Sequence, residues 1–177
     1  MTNRLKKGKI LLVDDNKSVL SALELLLRAE YETIDSITSP KQLPSLLEQK
    51  QYDVVLLDMN FSTGVNTGNE GLFWLKRILT IDADCSVIMI TAYGDVELAV
   101  KAVKEGAIDF ILKPWDNHKL ISTVHSAYKL RCSRKEVSQL KNREQSIIAE
   151  FNRERKFIIG NSPELTAVLN IDRKSVV

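Results

Sequence analysis

The stretch "ILLVDDNKSV" (Ile10–Val19) decides how the chain is read. Four apolar residues run without a break into two adjacent carboxylates, Asp14 and Asp15. A helical pattern follows at once: Val19, Leu20, Leu23, Leu26 and Leu27 fall on one face of the segment 17–29 at a 3.6-residue period. A short run that is apolar throughout belongs to a strand covered on both faces, as in a parallel sheet. Two like charges at its exit are costly unless something there uses them, so the strand end is the place to look for chemistry.

The same texture recurs. "KILLVD" (9–14), "VVLLD" (54–58), "SVIMIT" (86–91) and "IDFILK" (108–113) are short runs rich in Val, Ile and Leu, each bounded by polar or turn residues. "YETIDSI" (31–37) alternates and reads as an edge strand. Helix-like segments at 17–29, 41–50, 70–81 and 95–105 separate them. Five strand–helix units within the first 115 residues predict a small, doubly wound α/β domain built on a parallel sheet.

In open α/β sheets ligands sit at the carboxyl ends of the strands. Those ends carry Asp14 and Asp15 after the first strand, Asp58 after the third, Thr91 after the fourth and Lys113 after the fifth. Each alone has an ordinary explanation. Asp14-Asp15 could cap the helix that follows, Asp58 could be a structural strand-end Asp, Thr91 is a β-former, and Lys113-Pro114 is a strand terminator. Together they bring three carboxylates, a hydroxyl and an ammonium to one rim. Carboxylates about 4 Å apart repel by roughly 4 kcal/mol at an effective dielectric near 20. Either one stays protonated or a divalent cation binds. An all-oxygen site with open water positions suits Mg²⁺. Asp58 can serve as a carboxylate nucleophile that forms an acyl phosphate. Lys113 supplies fixed positive charge, and the Thr91 hydroxyl and the Ala92 N–H can donate to phosphate oxygens.

The charge is uneven. Residues 1–115 hold 13 Lys/Arg against 16 Asp/Glu, a balance of −3, and residues 116–177 hold 12 against 7, a balance of +5. An acidic front and a basic back predict two parts with different tasks. From Asp116 to about Lys156 there is neither Pro nor Gly, and Leu130, Val137, Leu140, Ile147 and Phe151 recur at three-and-four spacing. Ser133 and Glu144 fill the weak positions of that register. The segment reads as a long helix with an imperfect heptad seam, either pairing with a second copy or folding back as a solvated helix. Gly160 and Ser162-Pro163 are expected to break it and to start another helix. The chain then ends at Val177 in mid-pattern, which reads as a truncation. Two cysteines, Cys85 and Cys132, make neither a disulfide framework nor a metal cluster and are expected to be reduced thiols. No apolar run approaches the ~20 residues of a membrane span, and the basic N-terminus has too short an apolar run for a signal peptide.

On "ILLVDDNKSV", "VVLLDMN", "SVIMITAYGD" and "GAIDFILKPWD", residues 9 to about 128 resemble the receiver domain of bacterial two-component response regulators. The resemblance implies a flavodoxin-like five-stranded parallel sheet of order 2-1-3-4-5, here with a long C-terminal helical linker. It implies that Asp58 accepts a phosphoryl group from a sensor histidine kinase. It implies Mg²⁺ held by Asp15, Asp58 and the backbone carbonyl of Asn60, with Asp14 often acting through water. It implies a Lys113 contact to the phosphoryl group and a cis bond before Pro114. It implies a switch in which Thr91 moves toward the phosphoryl oxygen and Phe110 takes the vacated space. Many members carry Tyr where Phe110 stands, so output through that hydroxyl is absent here. The coupled face would run from the fourth strand to the fifth and include Tyr93. One stretch departs from the family: in "DMNFSTGVNTGNEGL" the acidic-Gly pair, Glu70-Gly71, arrives about five residues late, and Ser62 stands near the usual proline. Gly64, Asn66, Gly68 and Asn69 are turn material, forming either a lid over the site or a solvated excursion.

"FIIGNSPELTAVLNI" (157–171) resembles the opening of the ATPase domain of sigma-54-dependent activators of the nitrogen-regulatory type. The implied organisation is a receiver over 1–128, a helical, coiled-coil linker over 129–156 and the start of an AAA+ ATPase over 157–177. The partners expected are a sensor kinase and a second copy joined through the 116–156 helix. Contact with DNA and sigma-54 RNA polymerase would fall to domains outside this sequence. No G-x-x-x-x-G-K-[ST] is present, so no ATP hydrolysis is expected of it. The protein is expected to be a cytoplasmic signalling module that takes up and slowly loses its own phosphoryl group, not a turnover enzyme. Three alternatives remain. An aspartate-nucleophile phosphatase or phosphotransferase usually needs a second Asp two residues on, where Asn60 stands. A phosphorylation-independent interaction module would leave the acids idle. A nucleic-acid binder would use the basic half, but Glu136, Glu144, Glu150 and Glu154 interrupt it.

Overall fold

The apolar runs form five parallel strands: β1 (Lys6–Val13), β2 (Tyr31–Ile37), β3 (Val54–Asp58), β4 (Ser86–Ala92) and β5 (Asp109–Lys113). Their order is β2-β1-β3-β4-β5, so the alternating strand β2 lies at an edge, as its pattern predicts. The helices are α1 (Lys17–Leu27), α2 (Leu43–Gln49), α3 (Asn69–Ile81), α4 (Val96–Lys104) and α5 (Asn117–Asn161). The computed structural model describes residues 6–61, 69–92 and 96–161. The turn-rich stretch 62–68, Tyr93, and the expected helix start at Ser162-Pro163 with the rest of the ATPase-like segment lie outside the described residues. The chain forms two units, Met1–Arg134 and Lys135–Val177.

Alternate side chains of each strand go to opposite faces of the sheet. Leu11, Val13, Val55, Leu57, Val87 and Met89 pack with α2, α3 and α4 residues such as Leu43, Leu75, Ile78 and Ala102. Ile10, Leu12, Val54, Leu56, Ile88, Ile90 and Ile111 pack with Leu20, Leu23 and Leu27 of α1 and with Leu120, Val124 and Ala127 of α5. Each such residue contributes about 1.5–3 kcal/mol when fully buried. This two-sided demand is why the strands read as unbroken apolar runs. The fold is the flavodoxin-like sheet expected from the sequence, with its long C-terminal helix.

Register then sets the rim. Val13 pairs with Leu57, Asp58 with Ile90, and Ala92 with Lys113. The ends of β1, β3, β4 and β5 therefore finish side by side.

At the opposite rim α5 is tied to the sheet. Arg131, only 3% exposed, donates from both Nη atoms to Asp82 (3.1 and 2.6 Å), and its Nε lies 4.0 Å from Asp53. The Ser86 hydroxyl donates to the Ala127 carbonyl at 2.9 Å. In the second unit, Val137, Leu140, Ile147, Ile148 and Phe151 are all exposed. The helix does not stop near Lys156, and Gly160 does not break it: α5 continues to Asn161. A glycine costs a helix only about 1 kcal/mol and does not by itself end it. Neither Cys85 nor Cys132 is in a disulfide. No helix among the described residues is long and apolar enough to cross a membrane.

Candidate functional site

The residue after β1 is Asp14, 1% exposed, and its carboxylate Oδ1 accepts the Asn16 N–H at 2.8 Å. Asn16, not either aspartate, caps α1: its side chain accepts from the Ser18 N–H at 2.9 Å. The capping role offered to the acidic pair therefore falls to Asn16. Asp58, the last residue of β3, is 5% exposed. Oxygens of Asp14, Asp15 and Asp58 all lie within 4.8 Å of one another. Lys113, the last residue of β5, spans two of them: its Nζ is 2.7 Å from Asp14 Oδ2 and 2.8 Å from Asp58 Oδ1. The bond from Lys113 to Pro114 is cis.

One ammonium does not balance three carboxylates. Burial pushes the Asp58 carboxyl up to about 6, Lys113 pulls it down, and the Asp14 and Asp15 charges push it up again. Burial works against the charged Lys113, but the hydrogen bonds it donates to Asp14 and Asp58 outweigh that and hold its pKa above the ordinary value. The cluster therefore carries surplus negative charge on oxygen-only donors. That donor set fits a hard divalent cation, and Asp14, Asp15 and Asp58 could hold one.

Thr91 is fully buried in β4, and its Oγ1 lies 3.5 Å from the Ala92 carbonyl, at the limit of a hydrogen bond. That long contact leaves the hydroxyl weakly engaged. Ala92 ends β4 beside Lys113. Asn60 follows β3 and is half-buried. Between Asp58 and Asn60, the Met59 N–H donates to the Ile90 carbonyl at 2.8 Å, and the Met59 carbonyl accepts the Gly71 N–H at 3.1 Å. Phe110 is half-buried and packs with the α2–α3–α4 core. The fold thus brings Asp14, Asp15, Asp58 and Lys113 into one cluster, sets Thr91, Ala92 and Asn60 on the flanking strand ends, and packs Phe110 into the core on one face of the sheet. Sequence reasoning missed the Lys113 bridge to Asp14, the Asn16 cap and the Gly71 contact.

A profile of the response regulator receiver domain matches residues 10–125. The chain belongs to the response regulator receiver family. The transcriptional regulatory protein ZraR of Klebsiella oxytoca is 32% identical to this receiver chain over 162 residues, which is 91% of this chain and 33% of that protein. The response regulator protein PilR of Pseudomonas aeruginosa is 30% identical over 166 residues, 94% of this chain and 33% of that protein. This chain spans about a third of the length of these curated relatives. Among solved structures, the N-terminal signal receiver domain of a two-component response regulator from Bacteroides fragilis is 47% identical, with a TM-score of 0.63, covering 70% of this chain and 98% of that one. NtrX from Brucella abortus is 26% identical with a TM-score of 0.68, covering 76% of this chain and 30% of that one. These matches make the rim of this receiver the site on which a functional reading turns.

Proposed function

We propose that the chain is the phosphoacceptor module of a transcriptional activator, with Asp58 as the acceptor. The observation that supports this best is Lys113 bridging Asp14 and Asp58 at the strand ends, beside Asp15. A buried nucleophile, an adjacent fixed cation and surplus acidic oxygens are what an aspartyl phosphoryl transfer needs. An Asp58 oxygen attacks the phosphorus of a phosphohistidine on a sensor kinase. The P–O bond forms and the P–N bond breaks. The electron pair stays on the imidazole nitrogen, which takes up a proton. Lys113 balances the charge of the new phosphoryl group, and the Thr91 hydroxyl and Ala92 N–H donate to its oxygens. Asp14, Asp15, Asp58 and the Asn60 carbonyl would hold Mg²⁺. When bound, the ion supplies neutralising charge to the phosphoryl oxygens. Asn60 offers no second carboxyl to act as general acid, which favours a held phosphoryl group over turnover.

In the same reading, Thr91 shifts toward the phosphoryl group and Phe110 follows by packing alone. The receiver covers 1–128, a linker 129–156, and an AAA+ ATPase of the sigma-54-dependent class begins at 157–177. The exposed apolar side chains on α5 support a homodimer through 116–156. The protein works in the cytoplasm, and contact with DNA and sigma-54 polymerase falls to domains outside this sequence. The test is treatment of the chain with Mg²⁺ and a small acyl phosphate, read by intact mass and light scattering. One added phosphoryl group is expected on the wild type and none on Asp58→Asn. A wild type that gains nothing, or an Asp58→Asn variant that gains as much, overturns the proposal.

A further inference from the structure

The segment between Asp58 and α3 is longer than a receiver usually has, yet the backbone beside the acceptor is held tightly. Gly71, the third residue of α3, comes against Met59, one peptide away from Asp58. A Cβ built on Gly71 would lie 2.7 Å from Met59 Cα, 2.7 Å from its carbonyl oxygen and 3.0 Å from its carbonyl carbon. These are backbone atoms, which cannot swing aside as a side chain can. Met59 is also fully buried and held on its other flank by its N–H bond to Ile90, next to Thr91. The Gly71 N–H donates to the Met59 carbonyl at 3.1 Å and ties the start of α3 to the residue after Asp58. Lengthening a loop whose ends are already joined costs little, so added length here need not reach the acceptor.

We infer that Gly71 is a positioning residue for the acceptor turn: the absence of a side chain there lets α3 staple Met59 and so fixes where the Asp58 carboxylate and the Asn60 carbonyl point. This rests on the reading of Asp58 as the phosphoacceptor. A methyl at Gly71 must drive Met59 back by about 0.7 Å to reach the 3.4 Å of ordinary contact. In a close-packed interior that displacement passes to its neighbours. Misplacing a reacting group by about 1 Å costs on the order of 100-fold in rate, and disturbing the support of metal ligands costs about 10–100-fold in affinity.

A second glycine provides the control. Gly106, at the end of α4, has φ +114°, and a Cβ there would meet Leu79 Cδ1 at 2.6 Å. Gly106→Ala strains the fold too, but at the rim opposite Asp58. The experiment measures Mg²⁺ affinity by calorimetry, the rate of phosphoryl uptake from a small acyl phosphate, and urea stability, for wild type, Gly71→Ala and Gly106→Ala. Both variants should lose stability. Only Gly71→Ala should bind Mg²⁺ about 10-fold more weakly and take up phosphoryl on the order of 100-fold more slowly. Should Gly71→Ala not fold, amide exchange on the wild type decides: binding Mg²⁺ and beryllofluoride should slow exchange at Gly71 by about tenfold, because coupling between two sites is reciprocal. An unchanged Gly71 amide, or a Gly71→Ala variant that binds and reacts like Gly106→Ala, sinks the inference while leaving the site reading intact. A wild type that takes up neither Mg²⁺ nor phosphoryl sinks the site reading and this inference with it.

Discussion

Replacing Asp58 with Asn should make the metal-free protein more stable. The Asp58 carboxyl is pushed from 3.8 to about 6, chiefly by burial and despite its Lys113 partner. Because its pKa is raised in the folded state, ionising it opposes folding. The penalty is absent below pH 3.8, develops between 3.8 and about 6, and is complete above that. Roughly two pKa units correspond to about 3 kcal/mol at neutral pH. Asn keeps the shape without the charge and removes most of this cost, while Lys113 keeps Asp14 as a partner. The expected gain is about 2–3 kcal/mol, or roughly 5–10 °C in Tm. Urea unfolding of both proteins in chelator, at pH 7.5 and again at pH 4, measures it. The gap should close at the lower pH. It should also close as Mg²⁺ is added, because binding to the native wild type at 100 times Kd contributes about 2.7 kcal/mol. A variant no more stable than wild type at pH 7.5 in chelator would falsify this account of the cluster, and so would a gap that ignores both pH and Mg²⁺.

Three further outcomes are expected. Lys113→Met should bind Mg²⁺ about tenfold or more tightly, since a competing positive charge beside Asp14 and Asp58 is gone, while phosphoryl uptake falls; weaker Mg²⁺ binding by calorimetry would count against the bridge. Arg131→Met should destabilise the receiver by about 3 kcal/mol, because Asp82 and Asp53 lose a buried partner. Adding Asp82→Asn should recover part of that loss in urea unfolding, and strictly additive losses would show that the two residues do not act as a pair. Leu140→Asp should weaken the proposed α5 dimer roughly 100-fold or more, by removing two leucines worth about 2 kcal/mol each from the paired seam. Sedimentation over a concentration series reads this, and an unchanged mass would count against the proposed pairing through α5.

The architecture was legible because it is written in local periods. Val54–Leu57 and Val87–Ile90 are apolar throughout, since both faces of the sheet are covered, and α1 shows its 3.6-residue stripe. Parallel strands separated by helices leave few topologies, and the ends of the strands pointed to Asp14, Asp15, Asp58, Thr91 and Lys113. The length of α5 followed from the run without Pro or Gly after Asp116. Gly160 did not stop it, because one glycine is too weak a signal to end a helix that is already formed.

Other features were not legible for a physical reason. Lys113 meets Asp14 across 99 positions and Asp58 across 55, and Arg131 meets Asp82 across 49. No periodicity links such pairs; strand order and register bring them together. Asp14-Asp15 and Asn16 are equally good caps by residue type, and only the position of the chain on the sheet assigns the cap to Asn16. The residues by themselves determined which elements form and which chemistry gathers at one rim, because burial and helical period act over a few neighbours. Tertiary structure alone decided which acid takes the lysine, how far burial pushes Asp58, and that Gly71 must be bare, because these depend on distances between segments that meet only once the sheet has closed.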